Sequence, residues 1–121
     1  SWPSIPRETF SLRPGEVLAV KVKTGSSVSA AGTINTAKTT NAGGTRLVTL
    51  STEPGDFNAS GPCIVKGGEV ANTSWTTIQN LPAAYEPYYC KIQPNTTYYI
   101  NIKHTSCGSS KCYFYLSASG G

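Results

Sequence analysis

No extended stretch of this chain repeats its apolar residues with the 3.6-residue period of a helix, whereas short runs with a period of two recur throughout. Strands are therefore the elements available to bury a core. The clearest run is "EVLAVKVKT", from Glu16 to Thr24. Leu18, Val20 and Val22 point one way along it, and Ala19, Lys21 and Lys23 point the other. Proline and glycine punctuate the runs. Arg13-Pro14-Gly15, Glu53-Pro54-Gly55-Asp56 and Gln93-Pro94-Asn95 each combine a residue of fixed φ with one that tolerates a positive φ, the chemistry of a turn.

Between these turns the sequence predicts strands at Thr9 to Leu12, Glu16 to Thr24, Val28 to Ile34 and Thr45 to Ser51, then Thr96 to His104 and Lys111 to Ser117. Thr36 to Gly44 reads as a polar loop. Asn58 to Pro87 reads as long loops, with short strands near Cys63 to Val65 and Trp75 to Ile78. Short strands with turns at this spacing describe an all-β antiparallel β-sandwich of jelly-roll type. At 121 residues the chain is expected to be one such domain, spanning 1–121.

The two final strands carry the densest chemistry. Tyr98, Ile100, Ile102 and His104 share one face of the first, and Phe114 and Leu116 share one face of the second. Joined as a hairpin, they would set Ile102 opposite Leu116 and His104 opposite Phe114, with the apolar rows together on the core side. The outward row would then be Tyr99, Asn101, Lys103, Tyr113 and Tyr115. Aromatic rings beside an amide and an ammonium form a platform on which sugar rings stack while polar atoms fix their orientation. The plainer reading is that tyrosine is a good strand former that sits half exposed.

The same register makes a bond between Cys107 and Cys112 a clip across the loop "CGSSKC", contributing about 2 kcal/mol through loop closure. Cys63 and Cys90 would then tie the irregular middle of the chain to the strand before the hairpin, for about 3–4 kcal/mol. Four cysteines permit three pairings, and the sequence leaves that choice open. Disulfides are favoured over a metal site because no C-x-x-C spacing occurs and the chain has one histidine. They imply an extracellular setting: secreted, cell-surface or virion exterior.

Several function classes lose support. His104 on an inward face has no nucleophile elbow to serve, and the carboxylates Glu8, Glu16, Glu53, Asp56, Glu69 and Glu86 show no spacing that selects a pair. No enzyme activity, cofactor or metal is expected. Asp56 with Glu53 is a thin calcium signal beside the commoner turn role of aspartate. The net charge is +4, but its basic residues are scattered from Arg7 to Lys111, so no nucleic-acid partner is expected. No apolar run approaches the roughly 20 residues that span a bilayer, so membrane insertion is not expected. Asn58, Asn72 and Asn95 head glycosylation sequons. Trp2 and Trp75, in irregular segments, read as core plugs before ligand-stacking rings in loops. The chain has no methionine, which fits a removed leader, an excised domain or a trimmed initiator before Ser1.

The order "LRPGEVLAVKV", "LVTLSTEPGDF", "QPNTTYYINI" and a closing "CYFYL" resembles bacterial pre-peptidase C-terminal domains, which are small secreted β-sandwiches. The resemblance covers most of the chain and rests on its turn-strand rhythm. The cysteines depart from that pattern, as does the single aspartate where an acidic cluster would support calcium. The resemblance implies an accessory domain that binds polysaccharide or protein, and it brings no catalytic residue. The expected function is a non-catalytic extracellular binding module whose partner is a polysaccharide or surface glycan. A structural subunit of a virion or extracellular filament, assembling with neighbouring protein subunits, is the alternative.

Overall fold

The computed structural model describes residues 5–39, 44–68 and 70–120. The readings of Trp2 and Glu69, and the part of the polar loop at 40–43, lie outside the described residues. Within them the chain forms β1 (Ile5–Leu12), β2 (Leu18–Lys23), β3 (Ala31–Lys38), β4 (Thr45–Ser51), β5 (Ile64–Gly67), β6 (Val70–Thr76), β7 (Cys90–Lys91), β8 (Thr97–Ser106) and β9 (Cys112–Gly120). Two sheets result, ordered β1-β9-β3-β6-β7 and β2-β8-β4-β5.

With β7 set aside, the pairings nest. β4 pairs with β5, β3 with β6, β2 with β8 and β1 with β9, all antiparallel. This is one long ribbon folded back on itself at the β4–β5 turn. Rolling it up brings β9 against β3 and β8 against β4, which closes each sheet. The product is the expected jelly roll. β7 is a short addition to the edge, parallel to β6 over Trp75–Cys90 and Thr76–Lys91.

The period-2 reading of β2 holds residue by residue: Leu18, Val20 and Val22 are half-buried or buried, and Ala19, Lys21 and Lys23 are exposed. Other boundaries move. β1 begins at Ile5 rather than Thr9, and β3 runs Ala31–Lys38, so it takes in the start of the supposed polar loop. β6 likewise covers Val70–Thr76 where only Trp75 to Ile78 was expected. The polar stretches Thr33 to Lys38 and Asn72 to Ser74 carry no apolar alternation, so their backbone pairing outweighs side-chain pattern.

The core is shared by both sheets. Ile34, Trp75, Ile100, Ile102, Phe114 and Leu116 have no exposed surface. At the outer end of this layer His104 packs edge-on to Phe114, with centroids 5.7 Å apart. Its ring Nε2 lies 3.2 Å from the Cys112 carbonyl. The histidine is inward as expected.

The hairpin is not formed. β8 lies between β2 and β4, so that Ile102 faces Leu18 and Val48 and His104 faces Arg46. β9 lies between β1 and β3 in the other sheet, where Leu116 pairs with Glu8 and Thr36. Alternation identifies which residues share the core side. It does not say whether two core-facing rows sit edge to edge in one sheet or face to face across the sandwich. Here the segment after Ser106 arches from one sheet to the other, and the inward rows meet across the core.

Cys63–Cys90 and Cys107–Cys112 are both bonded, with Cα separations of 4.7 and 6.0 Å. The second therefore clips an arch between sheets, not a hairpin loop.

Candidate functional site

The five residues of the expected platform fall on opposite sides of the molecule, because β8 and β9 belong to different sheets. Tyr99, Asn101 and Lys103 project from the outer face of β2-β8-β4-β5, and Tyr113 and Tyr115 from the outer face of β1-β9-β3-β6-β7. They do not form one surface.

Asn101 is fully buried. The turn after β4 folds over it, and the amide clamps that turn. Oδ1 accepts from the Gly55 N–H at 2.7 Å. Nδ2 is 2.7 Å from Ser51 Oγ, 3.0 Å from Thr49 Oγ1 and 3.2 Å from the Asp56 carbonyl. Gly55 has a φ of 74°, which a side chain rarely adopts, so the Pro-Gly turn is what brings its N–H onto the amide. Asn101 is thus a structural residue. Replacing it with alanine strands several buried groups and is expected to lower stability by about 2 kcal/mol, read as a lower urea midpoint at unchanged slope. The Asp56 carboxylate accepts from the Asn58 N–H at 2.9 Å, which is a turn role. No group of three or more His, Cys, Asp or Glu side chains that could hold a metal occurs among the described residues.

The rings of Tyr113 and Tyr115 are occupied by the protein's own cations. The Arg7 guanidinium lies 3.7 Å from the Tyr115 centroid, and the Lys111 ammonium 5.6 Å from that of Tyr113. On the opposite face Lys103 is spent on Phe57, at 4.4 Å. Each contact contributes about 0.5–1 kcal/mol at an exposed site and covers a face that a ligand would need.

The open aromatic surface is elsewhere. Tyr85 and Tyr88 are 55% and 70% exposed. They bracket a single 3-10 turn, Glu86–Tyr88, in which the Tyr88 N–H donates to the Tyr85 carbonyl at 3.0 Å. The two rings serve different grooves, Tyr88 the one beside β6 and Tyr85 the one beside Leu81 and Pro82. Pro87 fixes a φ inside the turn, and the chain enters β7 just after it.

This segment is a compact loop tied at its base. Gln79 Nε2 bridges the carbonyls of Thr77 and Ile92, each at 2.9 Å, and the Cys63–Cys90 bond fastens the far end. The surface ion pair of Lys91 with Glu86, at 3.3 Å, adds little.

Two grooves flank the turn. One, of about 480 Å³, opens between β5 and β6. It is lined by Asn72, Thr73 and Ser74 on one side, Pro62, Ile64 and Val65 on another, and Pro87 with Tyr88. None of its lining side chains is charged. The other, of about 280 Å³, is more apolar and holds Ile78, Leu81, Pro82, Tyr85 and Tyr89.

The first groove also runs along an open strand edge. Thr77 N–H donates to Ala30 of the β3 side, while the Thr76 carbonyl accepts from Ile92 on the β7 side. Main-chain groups alternate sides along a strand, so those of Asn72 face the β7 side. β7 pairs with β6 only at Trp75 and Thr76.

Sequence reading passed over this site because "YEPYYC" shows no strand alternation and fell in the stretch read as loops. The available signal was the Tyr-x-x-Tyr-Tyr spacing around a proline, anchored at once by Cys90. Trp75 is fully buried, as a core plug should be. The sequon residues Asn58, Asn72 and Asn95 are exposed, and Asn72 borders the first groove.

One buried cation was not foreseen. Arg46 lies inside the sandwich, where Nε donates to Thr36 Oγ1 at 3.1 Å and Nη1 to the Gly44 carbonyl at 3.0 Å. Burial lowers its pKa, and a guanidinium still keeps its proton at any physiological pH.

No family model matches the chain, and neither a curated protein nor a solved structure matches it. The two disulfides point to an oxidising environment. No helix among the described residues is long and apolar enough to cross a membrane.

Proposed function

We propose that this domain is a non-catalytic binding module displayed outside the cell, and that its ligand is carbohydrate. The observation that carries the reading is the pair of exposed tyrosines on a disulfide-anchored turn beside an uncharged groove. A pyranose has an apolar face that stacks on an aromatic ring and a rim of hydroxyls that seek neutral amides and hydroxyls. Tyr88 supplies the ring, and Asn72 and Ser74 supply the polar rim. The turn-strand resemblance to secreted accessory domains agrees with this reading.

The test is retention on a glycan array and on insoluble polysaccharides, with size-exclusion chromatography of the same sample. Tyr88→Ala should weaken binding about tenfold, equivalent to about 1.4 kcal/mol. It should leave the melting temperature nearly unchanged, because the ring is 70% exposed.

The second reading is a structural subunit of a virion or filament. The β3–β9 part of the outer face of β1-β9-β3-β6-β7 favours it, where the neutral groups Thr33, Asn35 and Ser119 bond to one another at 3.1–3.2 Å. A stable trimer or polymer that ignores glycans decides for assembly.

A further inference from the structure

We propose that Thr73 is the hydroxyl that reads the ligand in the groove between β5 and β6, with a neutral pyranose seated between it and Tyr88. This rests on the carbohydrate reading above and assigns its primary subsite. Thr73 is 98% buried on the core side of β6, yet its Oγ1 has no hydrogen-bond partner. Neighbouring threonines show how the fold normally treats such a group. Thr36 Oγ1 bonds the Ala71 carbonyl, Thr76 Oγ1 the Ala30 carbonyl and Thr77 Oγ1 the Ser27 carbonyl.

A buried hydroxyl without a partner is destabilising, and valine would fill the same space in a strand without that penalty. Position 73 differs from the others in lining the groove. The hydroxyl is closed to bulk water in the empty groove, so a ligand engages it by turning the Thr73 side chain about χ1 toward the groove. A group carried in by a ligand, directly or through one bridging water, is what completes it.

The surroundings fix the class of that ligand. Beside Thr73 the groove is lined by the main chain of Asn72 and Ser74, whose groups face the same open edge, and by the ring of Tyr88. These are donors and acceptors of no net charge facing an aromatic ring. They suit the hydroxyl rim and apolar face of a neutral sugar and offer nothing to a phosphate, sulfate or uronate.

The experiment compares the parent domain with Thr73→Val, Thr73→Ser and Tyr88→Ala on immobilised cellulose, xylan, mannan, chitin and β-1,3-glucan. Soluble oligosaccharides of whichever polymer retains the parent then give affinities. Thr73→Val should bind about tenfold more weakly while its melting temperature rises by about 3 °C, since it loses only an unsatisfied group. Thr73→Ser keeps the hydroxyl and should recover most of the affinity.

Full binding by Thr73→Val, with binding lost in Tyr88→Ala, overturns the role of Thr73 and leaves the carbohydrate reading standing. A lowered melting temperature in Thr73→Val assigns the hydroxyl to the fold and also overturns it. A parent retained by none of the five polymers overturns both.

Discussion

Trp75→Ala is expected to lower stability by about 3–5 kcal/mol, the cost of a large cavity in a close-packed core. Trp75 is the largest fully buried side chain. Its backbone pairs with Gly32 in β3 and with Cys90 in β7. Gly120 shows how closely its ring is packed, because a Cβ built there would meet Trp75 Cζ2 at 2.6 Å. For a domain near 100 residues this loss shifts the melting temperature by roughly 15 °C or more. Differential scanning calorimetry checks it. A drop below 1 kcal/mol would mean that the sandwich closes around the gap and that Trp75 does not organise this edge. The binding consequence is distinct: Trp75 supports β7, and β7 launches from the tyrosine turn, so affinity should fall with the cavity even though the ring touches no part of either groove.

Removing the Cys63–Cys90 bond, as the double Cys→Ala variant, is expected to cost about 3–4 kcal/mol by loop closure over its sequence separation of 27. Removing Cys107–Cys112, with a separation of 5, should cost about 2 kcal/mol. Denaturant titration of the two variants orders them. The first should also free the loop bearing Tyr85 and Tyr88, so that chymotrypsin cuts within Tyr85–Tyr89 under conditions where the parent resists. Equal stability losses, or a cut confined to the region of Gly108, would contradict the assignment of Cys63–Cys90 as the anchor of the tyrosine turn.

How far the sequence carried this fold can be judged from single elements. Leu18, Val20 and Val22 announced β2 because one face is buried and one wet. Tyr98, Ile100, Ile102 and His104 announced their inward face equally well. Their partners were not legible, because pairing across the sandwich and pairing within a sheet place the same residues on the core side. That ambiguity moved Tyr113 and Tyr115 to the far side of the molecule from Tyr99 and Lys103. Asn101 was misread for a different reason. Alternation set it outward, correctly, but outward does not mean exposed when a turn folds over that face. β6 was largely missed because Val70-Ala71-Asn72-Thr73-Ser74 looks like loop composition, and its strand character comes from β3 alongside. The candidate site inherits that blindness, since it is built from a polar edge strand and a proline turn that carry no periodic signal.

The nested pairing has a kinetic meaning. β1 and β9 are partners, with Ile5 beside Ala118 and Leu12 beside Cys112, and β3 also depends on β9 for its second neighbour. The first sheet therefore cannot join β1 to β3 until the last residues of the chain arrive. Loop-closure entropy must be met before these distant pairings return any stability, which places the domain among slow, high-contact-order folders. While β9 is awaited, the facing edges of β1 and β3 stand open to other chains, and oxidation of Cys63 with Cys90 can proceed first because both precede it.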